Sequence, residues 1–210
     1  MKQKIALIGG GGHCKSCIDV IESTEKYDII AILDHPDLKD QSVLDYAISG
    51  SDDDIALLPQ NTQCLVTVGQ LSSATLRKHL FNLIIESGLS PATVVSPNAI
   101  VSKYAQTGSG TIIHHSAVVN ADARIGKNCI INTFALIEHD ARIGNHTHIS
   151  TGARINGGVS VGEGCFIGSG AILNQGISIA DHVVIGAGSV VTGSITEPGT
   201  YYGNPAKKRS

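Results

Sequence analysis

Ile113-His114-His115-Ser116-Ala117-Val118, Val119-Asn120-Ala121-Asp122-Ala123-Arg124 and Ile125-Gly126-Lys127-Asn128-Cys129-Ile130 are three consecutive hexads with one pattern. An aliphatic residue opens each (Ile113, Val119, Ile125) and a small one takes the fifth place (Ala117, Ala123, Cys129). Carried outward, the frame runs without a slip from Val95 to Thr196, and Thr107 is the one first position that is not Ile, Leu or Val. The second position favours Gly or Asn, as at Gly108, Asn120, Gly144, Asn156, Gly162 and Asn174. A helix needs a period near 3.6 and a single strand a period of 2, so neither yields six. Short strands separated by turns do, and that is the hexapeptide signature of a parallel β-helix.

Three hexads make one triangular turn, so residues eighteen apart stack at roughly the inter-strand spacing of ~4.8 Å. The first and fifth residues then point inward and fill a narrow prism. The Gly and Asn second positions are expected at corners, where positive φ is cheap for Gly and tolerable for Asn.

Upstream of the coil the pattern changes. Lys4–Ile8 reads as an apolar strand followed by Gly9-Gly10-Gly11-Gly12-His13 and a helical run through Cys17, Ile18, Val20 and Ile21. Strands over Ile29–Leu33 and Cys64–Val68 follow, then a helix carrying Leu76, Leu80, Leu83 and Ile84, with Ser72 or Ser73 as its cap and Gly88 as its stop. This is a half-sized, Rossmann-like α/β nucleotide-binding domain. Its glycine turn presents bare backbone N–H groups and a helix N-terminus to a phosphate. Asp34 lies where such folds set a carboxylate against a ribose hydroxyl. The glycines do not complete a dinucleotide fingerprint, and one nucleotide fits better than two. Gln41–Gln60 is polar and irregular, and its acidic run at 52–54 reads as a solvated loop or a helix start. The expected domains are 1–90 (nucleotide binding), 91–197 (coil) and a tail over 198–210 that covers the last coil edge.

Net charge near −3 leaves no basic footprint for nucleic acid. No run approaches the ~20 apolar residues of a membrane span, and the N-terminus lacks a signal-peptide core. Five cysteines, an odd number spaced poorly for bridges, suit a reducing, cytoplasmic setting. Cys14 and Cys17 read as small residues on a buried helix face rather than a redox or metal pair.

The chemistry concentrates in Ile137-Glu138-His139-Asp140-Ala141-Arg142. His139 takes a non-core position and should stand on the outer surface. A neighbouring carboxylate favours and orients its protonated ring, the pairing that a general base needs. His114, His115, His146 and His148 occupy other outward positions. No two of these five are spaced His-x4-His, as in the hexapeptide-coil carbonic anhydrases, so no metal is expected.

As a set, Leu7-Ile8-Gly9-Gly10-Gly11-Gly12-His13, Asp34, Gly69, Ile131-Asn132-Thr133, Ile137-Glu138-His139-Asp140, Ile149-Ser150 and Gly203-Asn204-Pro205-Ala206 resemble the NeuD/PglD-like sugar O-/N-acyltransferases. That family includes sialic acid O-acetyltransferases and bacillosamine-pathway N-acetyltransferases. The resemblance implies a left-handed β-helix and a trimer, with acetyl-CoA as co-substrate lying between subunits. Carried over, His139 is the general base and Asp140 its partner, where the family often has Glu. Asn132 and His148 fall near the thioester; Gly10, Gly11, Gly12, His13 and Asp34 hold the nucleotide-sugar. The implied acceptor is an amine, foremost the 4-amino group of a UDP-linked 4-amino-4,6-dideoxy sugar. O-acetylation of a sugar hydroxyl and a non-catalytic trimeric scaffold stay open as alternatives. Gly69 is followed here by Gln70 where the family usually has Asn or Asp.

Overall fold

A computed structural model describes residues 2–209. Six strands open the chain: β1 (Gln3–Ile8), β2 (Tyr27–Leu33), β3 (Ser42–Val43), β4 (Tyr46–Gly50), β5 (Gln63–Val66) and β6 (Ser90–Pro91). They form one sheet in the order β3-β4-β2-β1-β5-β6. Helix α1 (Gly12–Ser23) follows β1, and α2 (Thr75–Glu86) follows β5. The central strands are parallel, with Ile5 beside Ile29 on one flank and Gln63 on the other. Central strands buried on both faces read as continuous apolar runs, and Ile5 to Ile8 is fully buried.

Two expectations for this domain need correction. Residues 41–60 are not a simple loop: β3 and β4 pair as a hairpin there, and β4 also extends the sheet beside β2. A 3-10 turn at Asp52–Leu57 follows, where Asp54 accepts the Ser51 N–H at 2.8 Å. Of the two readings of the acidic run, the helix start is the one realised, with carboxylates among the first-turn N–H groups. The buried face of α2 is Arg77, Leu80, Phe81 and Ile84, while Leu76 is exposed. Ser73 does not formally cap α2, although its hydroxyl accepts the Thr75 N–H.

From Val94 onward the chain winds through two-residue strands, each paired in parallel with the strand eighteen residues on: Ile113 beside Ile131, Val119 beside Ile137, Ile125 beside Ile143. The prism is filled by the first and fifth hexad residues, Ile137, Ala141, Ile155 and Cys165 among them. Gly199–Gly203 pairs with Val183–Ile185, and Ala206–Lys208 folds back on it, so the tail does cover the last edge of that sheet.

The corner glycines work differently from the expectation. Positive φ falls on the fourth hexad position, at Ser116, Asp122, Asn128, Phe134, Asp140 and His146 and at Gly152 through Gly176. The second-position glycines are required by close approach instead. A Cβ on Gly108 would sit 2.6 Å from the Gly126 backbone, and one on Gly144 would sit 2.5 Å from Gly162. Coils ~4.8 Å apart leave no room for a side chain pointing along the stack.

The three outer faces differ in chemistry. Val94, Ile112, Ile130 and His148 are buried beneath the α/β domain, whose Cys14, Cys17, Ile18 and Ile21 share one apolar core with Ala92, Val94, Ile112 and Ile130. A second face is polar: Gln106, Arg124, Arg142 and Ser178 are all exposed. The third carries Ile100, Val118, Leu136, Ile172 and Val190 with Arg154 as a lone charge in the row, and none of the described residues roofs it as the α/β domain roofs the first.

Candidate active site

The glycine turn and the end of β2 meet at Asp34. Its carboxylate accepts the Gly10 N–H at 2.5 Å and the His35 N–H at 2.6 Å. A Cβ on Gly9, at φ +109, would lie 2.4 Å from the Val68 side chain, so only glycine lets the turn pass β5 this closely. Gly11, Gly12, His13 and Asp34 then line a cavity of about 650 Å³ together with Gly69 to Ser73, Leu76, Arg77 and His148. Gly10 contributes through its bond to Asp34.

His148 comes from the coil and is expected at an outward position, yet it is buried. It points out of the prism but into the α/β domain. His114 and His146 share that fate, whereas His139 and His182 are exposed and His115 is half-buried. The His148 Nδ1–H donates to the Gln70 carbonyl at 2.8 Å, which leaves Nε2 as the acceptor facing Asn132 Nδ2 at 3.3 Å. Burial pushes its pKa down to about 4. Burial, with help from its imidazole neighbours, takes His13 to about 2 and His114 to about 4. All three are neutral near pH 7.

Arg77 is the residue that sequence reasoning missed, and Gln70, visible there only as a departure after Gly69, has a role that the sequence did not reveal. The fully buried Arg77 guanidinium donates to the carbonyls of Val66, Val68 and Asn128 and to Asn128 Oδ1. Asn128 in turn donates to the Arg77 carbonyl and bonds His146 Nδ1. Gln70 Nε2 donates to the Cys165 carbonyl at 2.9 Å. These bonds clamp the loop after β5 onto the coil and shape the cavity floor. The available signal was spacing: position 77 lies on the stripe defined by Phe81 and Ile84.

His139 and Asp140 lie elsewhere, at the corner between the bare apolar face and the polar face. The His139 ring is exposed, and its Nδ1 meets Asp140 Oδ2 at 2.7 Å. That hydrogen bond, aided by the charges of Asp140 and Glu138, raises the His139 pKa above its ordinary value. Glu138 itself turns aside to accept from Asn120 Nδ2 at 2.9 Å. Gly157 makes room for the ring, since a Cβ there would come within 2.8 Å of His139 Nε2. Within one chain, the residues expected to hold the sugar and the residues expected to move the proton are therefore on different sides of the coil.

The first domain matches the PglD N-terminal domain over residues 4–84, and the coil matches the bacterial transferase hexapeptide repeat over 122–157, 140–175 and 158–193. No curated protein sequence matches. Among solved structures, PerB from Caulobacter crescentus, in complex with CoA and GDP-perosamine, is 32% identical, with a TM-score of 0.91 and coverage of 99% of this chain and 97% of that one. The acetyltransferase domain of PglB from Neisseria gonorrhoeae FA1090 is 30% identical, with a TM-score of 0.92 and coverage of 99% and 100%.

The chain belongs to the PglD/NeuD-like sugar acyltransferase family.

The PglB domain is also matched in its complex with acetyl coenzyme A, at 29% identity. WeeI from Acinetobacter baumannii AYE, at 24% identity and a TM-score of 0.86, shares the fold. The coil is accordingly the left-handed β-helix of this family, and the protein is an acetyl-CoA-dependent sugar N-acetyltransferase. Among the described residues no helix is long and apolar enough to cross a membrane.

Proposed function

We propose that the protein acetylates the 4-amino group of a UDP-linked 4-amino-4,6-dideoxy sugar, with His139 as general base. The observation that carries this reading is the exposed His139–Asp140 pair, bonded at 2.7 Å, at the edge of the uncovered apolar face. With Nδ1–H donating to Asp140, the ring presents the Nε2 lone pair outward. The neutral sugar amine attacks the thioester carbonyl of acetyl-CoA, and His139 Nε2 takes the proton as the C–N bond forms. Collapse of the tetrahedral intermediate breaks the C–S bond, and the imidazolium returns its proton to the departing thiolate. The thioester is already activated, so neither a covalent enzyme intermediate nor a metal is called for. Cys129 and Cys165 face the prism and are buried, which removes them as acyl carriers.

The acceptor belongs in the cavity of Gly11, Gly12, His13 and Asp34, with its phosphates toward the start of α1. His148 lines that cavity on its coil side and Asn132 Nδ2 lies 3.3 Å from its Nε2, and we assign both to the neighbourhood of the thioester. Because His139 lies beyond the cavity of its own chain, we place each complete site between two copies. The uncovered face of Ile100, Val118, Leu136, Ile172 and Val190 is the surface on which a second copy packs, and a trimer closes that arrangement. Thiol release from acetyl-CoA with a panel of UDP-, GDP-, dTDP- and CMP-linked 4-amino sugars tests the substrate. Turnover fastest with the UDP sugar supports the reading; preference for the GDP sugar overturns the nucleotide, and none with any amine overturns the activity. Light scattering that gives a monomer at micromolar concentration sinks the shared site.

A further inference from the structure

Helix α1 carries His13 and Cys17 four residues apart, so both side chains lie on one face. Docking of α1 on the coil sets that face against His114, and the His13 and His114 rings are 5.2 Å apart, centre to centre. One donor atom from each of His13, Cys17 and His114 falls within 4.8 Å of the other two. The Nε2 atoms of both imidazoles are buried and have no hydrogen-bond partner. His114 is 1% exposed and Cys17 fully buried, so solvent does not supply what is missing.

We propose that His13, Cys17 and His114 form a binding site for a divalent ion of the zinc class. Two imidazoles and a thiolate suit such an ion, and three protein ligands leave a fourth position open. Bonds of about 2.0–2.3 Å place tetrahedral donors roughly 3.4 Å apart, so small rotations of the three side chains complete the geometry. As the sulfur–metal bond forms, the Cys17 thiol releases its proton to solvent. His13 lines the cavity where the acceptor is placed, while Cys17 and His114 lie behind it, so an ion held by all three engages a ring of the cavity wall. The acyl transfer uses no metal. The ion therefore acts as an inhibitor that takes the His13 ring out of acceptor recognition, a consequence that rests on the proposed function while the site itself does not.

Titrating chelator-treated protein with Co²⁺ tests the site directly. The expected result is one ion per chain, with a thiolate-to-cobalt charge-transfer band and the visible bands of a four-coordinate ion, both lost on adding Zn²⁺. Cys17→Ala abolishes the charge-transfer band, and His114→Leu abolishes or strongly weakens binding, with circular dichroism unchanged. Cys17→Ser and His114→Gln serve if either variant misfolds. Absence of the band, or its survival in both cysteine variants, overturns the proposal, because a thiolate band without Cys17 points to an adventitious ion elsewhere. In a separate arm, Zn²⁺ raises the acceptor KM of the wild type and leaves that of Cys17→Ala unchanged. Equal inhibition of both overturns the inhibitory role, whatever the spectrum shows.

Discussion

His139 and His148 lie on the same coil, nine residues apart, in opposite physical states. His139 is exposed and bonded to a carboxylate, and its pKa is raised. His148 is buried under the α/β domain, bonded to a backbone carbonyl, and its pKa falls to about 4. The hexad places both outside the prism, His139 at its third position and His148 at its sixth, and an outward position does not by itself decide between water and burial. What separates them is the face: one borders a surface that none of the described residues roofs, and the other is roofed by helix α1 and the loop after β5. Water and a carboxylate favour the imidazolium, whereas burial without an anion disfavours it.

The largest effect expected from this contrast is on turnover. His139→Ala should lower kcat by about 10²–10⁴-fold, the usual worth of general-base catalysis, with the melting temperature unchanged because the ring packs against little. Wild-type turnover in that variant, measured with a confirmed acceptor, would show that the exposed histidine is not the base. Asp140→Asn should cost less, since it orients the ring without taking the proton.

Next is the response to acid. His13, His114 and His148 have folded pKa values below the unfolded value of ~6.5. Their contribution to stability is fully present above pH 6.5 and is lost as pH falls toward 4, because the unfolded chain binds protons that the native state refuses. Replacing His114 alone should remove on the order of 3 kcal/mol of that dependence. Denaturant titrations of His114→Leu across this window should show a flatter slope than the wild type, and an unchanged slope would mean that the ring is not buried. His139 acts with the opposite sign. Its raised pKa means that kcat/KM falls as pH drops through a value above ~6.5, and an acid limb at or below 6.5 would contradict the Asp140 bond.

The smallest effect sharpens the role of the corners. Phe134 sits at φ +59, and its side chain is exposed on the corner beside the covered face. Phe134→Gly should raise stability by about 1 kcal/mol by relieving the left-handed conformation. A loss of stability on chemical unfolding would reveal packing against a second copy.

Much of this was legible residue by residue. Ile113, Val119 and Ile125 with Ala117, Ala123 and Cys129 announce the coil, and Gly9–His13 between two apolar runs announces the α/β domain. His139–Asp140 stood out because a titratable pair occupied a non-core position. Arg77 did not stand out, because a charge beside Leu76 reads as the solvent side of a helix until the partners at Val66, Val68 and Asn128 are seen. The periodicity points to positive φ at the second-position glycines, whereas their constraint comes from the coil eighteen residues away.

What the sequence by itself determined is whatever depends on local periodicity: the prism, its filling, and which side chains leave it. The tertiary structure alone decided which outer face is roofed. That choice follows from helix α1 packing Cys17, Ile18 and Ile21 against Val94, Ile112 and Ile130, contacts some hundred residues apart in the chain. The same docking turned His148 and His114 from surface groups into neutral, buried ones and left His139 in water. Burial is a sum over non-local neighbours, and no repeat of six residues contains it.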